Sequence, residues 1–276
     1  MALCRKTVKA IAFQLLYVCG ITRFVAWCNR KRLVILCYHG VTERSMRHPR
    51  DRFGLHVRHD RFVAQMDYLQ RHYRVIALPE YLKAREEERA LPPYSVVLTF
   101  DDGFRNFLTA ALPRLAQRRL PVTMFLITDL VGDGPTRPPI DRWHMEDDET
   151  HLSWTEVKHL QQHERVIFGS HTRSHAKLPD LLQDAVAHEL RDSYAAIRSH
   201  LPEYSSVPLA YPYGRYSDRV IEQARAIGYV CGLTCDIGGN HKTTDLFLLQ
   251  RVLIGDDDTR AAFAARVAGI TWGRRR

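Results

Sequence analysis

The chain of 276 residues lacks most of the features that would assign it to a simple class. Its six cysteines (Cys4, Cys19, Cys28, Cys37, Cys231, Cys235) include no CxxC pair, so no paired-thiol motif points to redox or zinc-ribbon chemistry. Three of them lie in an apolar N-terminal stretch, where cysteine behaves as a small hydrophobe. Cys231 and Cys235 read as two buried thiols rather than a disulfide or a metal half-site, and a reducing compartment is the expected setting. No clean apolar run reaches the roughly 20 residues that a membrane span requires, because Gln14 and Arg23 interrupt the stretch from Ala10 to Trp27. No small-residue cleavage site follows that stretch before Leu33, which counts against a secretory signal. Internal repeats are absent, and so are low-complexity tracts apart from the basic ends.

Dispersed positive charge is also missing. The formal net charge is +9, but residues 1 to 32 hold Arg5, Lys6, Lys9, Arg23, Arg30, Lys31 and Arg32 with no acid, which is +7. The tail Arg274, Arg275 and Arg276 adds +3, leaving −1 for residues 33 to 273. A nucleic-acid partner, which would call for basic surface across the body, is therefore not expected. Basic residues flanking an interrupted apolar run fit a helix lying in the plane of an anionic membrane: Arg5, Lys6, Lys9 and Arg23 reach lipid phosphates while Phe13, Leu16, Tyr17 and Phe24 enter the acyl region. Its rivals are a membrane span or uncleaved signal, and a helix packed on the domain. The expected organisation is a membrane-associating segment 1–32, one catalytic domain 33–270 and a basic tail 271–276, in a peripheral protein on the cytoplasmic face.

After Arg32 short β-branched runs alternate with helical patterns, the signature of repeated βα units around a parallel sheet. Strands are expected at 33–38, 74–78, 95–100, 122–127, 166–169, 208–211, 229–233 and 251–254, with helices at 61–72, 106–117, 180–200 and 218–227. Seven or eight units in about 240 residues predict a deformed (β/α)7-8 barrel, with its chemistry at the carboxyl ends of the strands. Segment 129–150 reads as a long loop at one rim.

Polar clusters stand just past the expected strands: Tyr38-His39-Gly40, Asp101-Asp102-Gly103, His171-Thr172-Arg173-Ser174-His175 and Tyr211-Pro212-Tyr213-Gly214. Two imidazoles four residues apart plus a carboxylate from a neighbouring strand end suit Zn²⁺ or a similar divalent ion, leaving an adjacent carboxylate free for acid/base work. The bland alternatives are a capped Asp-Asp-Gly turn, an exposed first helical turn for the two histidines and a buried structural role for His39. Trp154 and Tyr211 read as packing residues.

These clusters resemble the polysaccharide deacetylase family, the NodB-homology carbohydrate esterases, over roughly Leu33 to Ile254. TFDDG at Thr99–Gly103 is similar to the family's first motif, SHTRSH at Ser170–His175 to its metal motif, and AYPYG at Ala210–Gly214 to its third. The resemblance implies Asp101 as general base and Asp102, His171 and His175 as ligands of one divalent ion, Zn²⁺ or else Co²⁺, Ni²⁺ or Mn²⁺. It also implies Tyr213 as a backbone donor to the oxyanion, with Pro212 supporting it. Two departures matter. No arginine precedes the Pro-Tyr, where Leu209, Ala210 and Tyr211 stand, and the last strand LLQRVLIGDDD has no histidine. The sequence is thus similar to the permuted branch of exopolysaccharide and biofilm-glycan deacetylases, in which a Tyr-His pair after the first strand supplies the acid. That implies His39 as acid and leaves Arg251 as candidate for the displaced base-supporting arginine. The implied activity is removal of N-acetyl groups from an amino sugar of a polysaccharide or lipid-linked precursor. The alternatives are deformylation or other C–N amide hydrolysis at the same site, and a silent carbohydrate-binding module.

Overall fold

The computed structural model describes residues 2–43, 54–132, 150–163 and 165–270. Most of the loop expected at 129–150, and the whole basic tail 271–276, lie outside these residues. The N-terminal run forms two helices, α1 (Ala2–Val18) and α2 (Ile21–Cys28), because Gly20 takes a left-handed conformation (φ 76°) that bends their axes by 74°.

The barrel begins with β1 (Val34–Tyr38), followed by a parallel pair, β2 (Gly40–Thr42) and β3 (His56–Arg58), and by α3 (His59–His72). The strand expected at 74–78 stops early. β4 covers only Arg74–Val75, and α4 (Leu78–Glu86) starts where the strand was expected to end. Pro79 is pre-set for a first helical turn, and Leu78, Tyr81 and Ala84 recur at a spacing of three, which places them together on a buried helical face. β5 (Ser95–Phe100) leads through a π-helical turn (Phe107–Ala111) into α5 (Leu112–Gln117), then β6 (Val122–Leu126) and α6 (Trp154–Gln161), which carries a Ser153/Glu156 capping box. β7 (Val166–Ser170), α7 (Gln183–His200), β8 (Leu209–Ala210), α8 (Asp218–Ile227), β9 (Gly232–Leu233), β10 (Val252–Leu253) and α9 (Arg260–Ala268) complete the chain.

Among the described residues eight strands form one parallel sheet in the order β10-β1-β5-β6-β7-β8-β9, with β4 paired to the first half of β5. A parallel bridge between Leu233 and Leu249 ties β9 to the segment that continues into β10, which draws the two edges of the curled sheet together. This is the deformed (β/α) barrel expected from the sequence.

Both faces of the sheet are buried, as a parallel sheet covered by helices requires. Val34, Leu36 and Tyr38 of β1 and Val96, Leu98 and Phe100 of β5 pack in the large core, whereas Ile35 and Val97 pack in a second core with Phe125, Ala210 and Leu233. The period of two continues past the apolar residues. Cys37 and His39 follow Ile35, and Thr99 and Asp101 follow Val97, on the same face of their strands. That face is apolar at the amino end and turns polar at the carboxyl end, where the site lies.

Candidate active site

Asp101 and Asp102 leave the end of β5 in different directions. Asp102 (φ 72°) and Gly103 (φ 74°) are both left-handed, so the chain turns sharply and the two carboxylates separate. Among the described residues four of the seven non-glycine positions with positive φ fall in the site motifs: Asp102, Thr172, His175 and Tyr213. Each such conformation costs on the order of 1 kcal/mol or more and persists only where its surroundings impose it. Around the histidines that imposition is visible. Ser170 Oγ accepts the Thr172 N–H at 3.0 Å, Thr172 Oγ1 accepts the His175 N–H at 3.1 Å, and the buried Glu189 takes both the N–H and the hydroxyl of Ser174 at 2.9 and 2.7 Å. The segment is a bonded loop, not the exposed first helical turn that was the alternative, and His171 is buried.

The Nδ1–H of His171 donates to the Ala210 carbonyl at 2.8 Å, which fixes the tautomer and turns the Nε2 lone pair inward. Nε2 lies 3.5 Å from Asp102 Oδ1, and His175 Nε2 lies 3.6 Å from the same oxygen. These separations are too long for good hydrogen bonds. They match the spacing of roughly 3.4 Å between two ligands that each sit about 2.1 Å from a tetrahedral ion. Asp102 Oδ1 is buried with no hydrogen-bond partner, and burial together with the Asp101 charge raises this carboxyl to about 8. Burial holds both imidazoles below their ordinary range, so they are neutral and offer lone pairs. An unpartnered buried oxygen between two inward-facing neutral imidazoles is a donor set that fits a divalent cation.

Asp101 is held differently. Arg251 Nη1 donates to Oδ1 at 2.7 Å and Nη2 to Oδ2 at 2.8 Å, a bidentate fork. The guanidinium is itself 1% exposed, and its Nε donates to the Thr234 carbonyl at 2.8 Å. Burial by itself would raise the Asp101 carboxyl, but the charge and hydrogen bonds of Arg251, helped by His171, outweigh it and hold Asp101 well below the usual carboxylate range. Arg251 therefore occupies the place for which it was the candidate. Its position next to β1 comes from the parallel pairing of Leu36 with Val252.

His39 stands at the end of β1, with an Nδ1 that has no partner and is buried. Burial lowers its pKa to about 4, with Asp101 acting in the opposite sense. Its nearest nitrogen, the Cys37 sulfur and an Asp101 oxygen all lie within 4.8 Å of one another. The thiol of Cys37 donates to Asp101 Oδ2 at 3.3 Å, and Cys235 Sγ accepts from Arg251 Nη2 at 3.7 Å. Motif reading had left both cysteines out of the site. Cys37 shares the strand face of His39 at a spacing of two, which was a readable signal; Cys235 had none. Cys19, Cys28, Cys37, Cys231 and Cys235 are all free thiols.

Tyr213 (φ 59°) sits in a short 3-10 turn, Pro212–Gly214, with its ring 4.6 Å from that of His175 and 44% exposed. Gly214 is required there: a Cβ would lie 2.4 Å from the Cys235 backbone nitrogen. At Gly40 a Cβ would meet the His56 ring at 2.1 Å, so a larger residue there would have to displace that side chain. Tyr211 is buried with its hydroxyl donating to the Phe247 carbonyl, and Trp154 stacks on His200 at 4.0 Å, so both pack rather than face the site. Two histidines without a motif, His56 and His151, flank Phe104 near the site.

The polysaccharide deacetylase family model matches residues 88–232. The chain belongs to the polysaccharide deacetylase family. YxkH of Bacillus subtilis (strain 168), named as a polysaccharide deacetylase, is 24% identical over 251 residues, covering 89% of this chain and 80% of that protein. The poly-beta-1,6-N-acetyl-D-glucosamine N-deacetylase of Escherichia coli (strain K12) is 23% identical over 202 residues, covering 64% of this chain but 30% of that longer protein. Among solved structures, the Streptococcus pyogenes deacetylase PplD, determined with acetate, superposes with a TM-score of 0.70 at 24% identity, covering 84% of this chain and 96% of that one. The relatives thus include the biofilm-glycan branch to which the Tyr-His pair pointed, and this deacetylase-family chain is a hydrolase.

Proposed function

We propose that this polysaccharide deacetylase family member is a divalent-metal-dependent N-deacetylase that removes acetyl groups from an amino sugar within a glycan or a lipid-linked glycan precursor. The observation that carries the reading is the convergence of Asp102, His171 and His175 beside a second carboxylate, Asp101, clamped by a buried arginine. The name of the Escherichia coli relative supports an N-acetylglucosamine substrate.

Asp102, His171 and His175 would hold the ion, Zn²⁺ being best suited to the nitrogen and oxygen donors. When bound, it supplies Lewis-acid polarisation of the acyl carbonyl and lowers the pKa of water. Asp101, fully ionised, accepts a proton from the attacking water. The backbone N–H of Tyr213 stabilises the oxyanion, a single-donor contribution of about 3 kcal/mol. His39 starts neutral, so the proton it delivers to the departing amine is the one given up by water and reached through Asp101 close by. Pro212 holds the turn that presents the Tyr213 N–H. Acetate and a free amine result, with the C–N bond broken and water consumed.

Acetate release from N-acetylglucosamine oligomers and from a lipid-linked N-acetylamino sugar, before and after chelation and zinc add-back, tests this. Release that stops with chelator and returns with zinc is expected. Loss of formate instead of acetate, or no turnover with metal bound, would sink it. His39→Ala is expected to lower kcat about 100-fold or more while leaving metal content unchanged; a change of only a few-fold would move the acid elsewhere. Chelation is expected to lower the melting temperature by several degrees and zinc to restore it, because the ion binds the folded state and not the unfolded one. In His171→Ala that response should vanish, and a melting curve still moved by zinc would place the ion at other residues.

A further inference from the structure

Exposed large apolar side chains are concentrated in one place. Among the described residues nine are exposed, and seven of these lie on the two N-terminal helices: Val8, Ile11, Leu15 and Val18 of α1, and Ile21, Phe24 and Trp27 of α2, with 44 to 71% of each side chain accessible. Their spacing of three or four residues puts them along one face of each helix. The opposite face is locked to the barrel. Phe13 is 2% exposed against Ala261, Ala262 and Ala265 of α9, Leu16 and Tyr17 join the same cluster, and Thr22 is 1% exposed, so Phe13, Leu16 and Tyr17 face the barrel and not the acyl region expected for them from the sequence. The apolar face therefore belongs to a fixed part of the body. A contiguous patch of this kind marks an interaction surface.

The segment that carries the patch is cationic. No Asp or Glu occurs in the first 32 residues. Arg30 lies over the exposed Trp27 ring at 4.5 Å, so its charge borders the apolar residues. A cleft of about 320 Å³ opens where α2 meets α3, lined by Arg23, Arg71 and His72 with the aromatic walls Tyr68, Tyr73 and Tyr94. Among the described residues that line it there is no carboxylate. Arg260 also acts electrostatically on Tyr68 and His72 from α9.

We propose that the α1–α2 face docks in the plane of an anionic phospholipid bilayer, with Ile11, Leu15, Phe24 and Trp27 in the acyl boundary and the Arg23/Arg71 cleft receiving lipid phosphate. Apolar and cationic features alternate over one surface in the manner of an interfacial helix, and arginine forks suit phosphate oxygens. Spanning the bilayer fits less well. No single described helix is long and apolar enough, the two that would qualify together are bent by 74°, and one side of each is held by α9. Through residues 29–33, α2 joins β1 at its amino end, a strand length from Asp101 and the histidines, so a docked molecule keeps its site facing water.

The test uses the full chain with vesicles of phosphatidylcholine alone and of phosphatidylcholine containing phosphatidylglycerol, read by co-sedimentation and by Trp fluorescence. Binding to the phosphatidylglycerol vesicles, weakened by salt, is expected. Arg23→Gln with Arg71→Gln should lower that partitioning roughly 30-fold, at about 1 kcal/mol per basic residue at an anionic surface, and Phe24→Ser with Trp27→Ser should abolish it. Neither pair belongs to the active site, so turnover on soluble oligomers and the melting temperature serve as controls for folding. Absence of binding overturns the proposal. Equal binding to both vesicle types, unchanged by the arginine pair, overturns the phosphate cleft. A dimer in sedimentation velocity that Phe24→Ser with Trp27→Ser dissociates, without vesicle binding, would assign the face to a second copy of the chain.

Discussion

Arg251→Ala is expected to lower stability and turnover together. The guanidinium makes two hydrogen bonds to Asp101 and one to the Thr234 carbonyl in a place where it is 1% exposed. Its removal leaves Asp101, itself 2% exposed, as an unpaired buried charge, and breaking a buried pair from one side typically costs about 3–5 kcal/mol. Asp101 then holds its proton to higher pH, because the largest influence that depresses its pKa is gone and burial is opposed only by the histidines. At neutral pH the base is partly protonated, and kcat should fall by about a hundredfold or more. Arg251→Lys keeps a charge but loses the fork, and should land between alanine and wild type. Urea unfolding midpoints and kcat measured side by side check this. Full activity in the alanine variant would show that Asp101 needs no cationic support.

The same pair sets an acid limit on stability. Asp101 is depressed in the folded state relative to the unfolded chain, so its contribution is complete above the unfolded carboxylate value of about 4 and is lost as pH falls through the lower folded value. Wild-type protein is expected to lose stability steeply below about pH 4. Arg251→Ala should show a shallower dependence there, since its Asp101 is no longer depressed.

Asp101→Asn is expected to reduce turnover by about a thousandfold or more while the metal stays bound. The amide has nearly the shape of the carboxylate but cannot accept a proton, and base removal of this kind costs about two to four decades. Asp102, His171 and His175 are untouched, so metal content by elemental analysis should match wild type. Some stability is lost as well, because Arg251 keeps its charge and finds a neutral partner. Near-normal rates in Asp101→Asn would remove Asp101 from the base role and leave His39 as the proton acceptor. Loss of metal along with activity would mean that Asp101 and Asp102 share the ion.

The barrel and the ends of its central strands were legible because both report local chemistry. Ser95–Phe100 and Asp218–Ile227 were expected at the bounds they have, the first a β-branched run closed by Asp-Asp-Gly and the second a helix between a serine cap and a glycine stop. Where two patterns competed, reading along the chain failed. Arg74-Val75-Ile76-Ala77-Leu78 has the composition of a strand, and Pro79 with the buried face of α4 turned its end into a helix. The break at Gly20 was unread for a related reason: the apolar character runs through it, and only the packing of α1 and α2 against α9 uses the bend.

What the sequence by itself determined was the family, the parallel βα order and the motif residues that the fold gathers into the candidate site, since Asp-Asp-Gly, His-x-x-x-His and Tyr-Pro-Tyr-Gly are short segments legible without any long-range contact. The tertiary structure alone decided how those residues are supported. Arg251 reaches Asp101 across 150 positions of sequence because β10 pairs with β1, and Cys37 and Cys235 meet the same carboxylate and guanidinium from opposite ends of the chain. Such contacts leave no local pattern. They arise when a curled sheet brings its edges together and a buried charge takes the partner that closure places within reach.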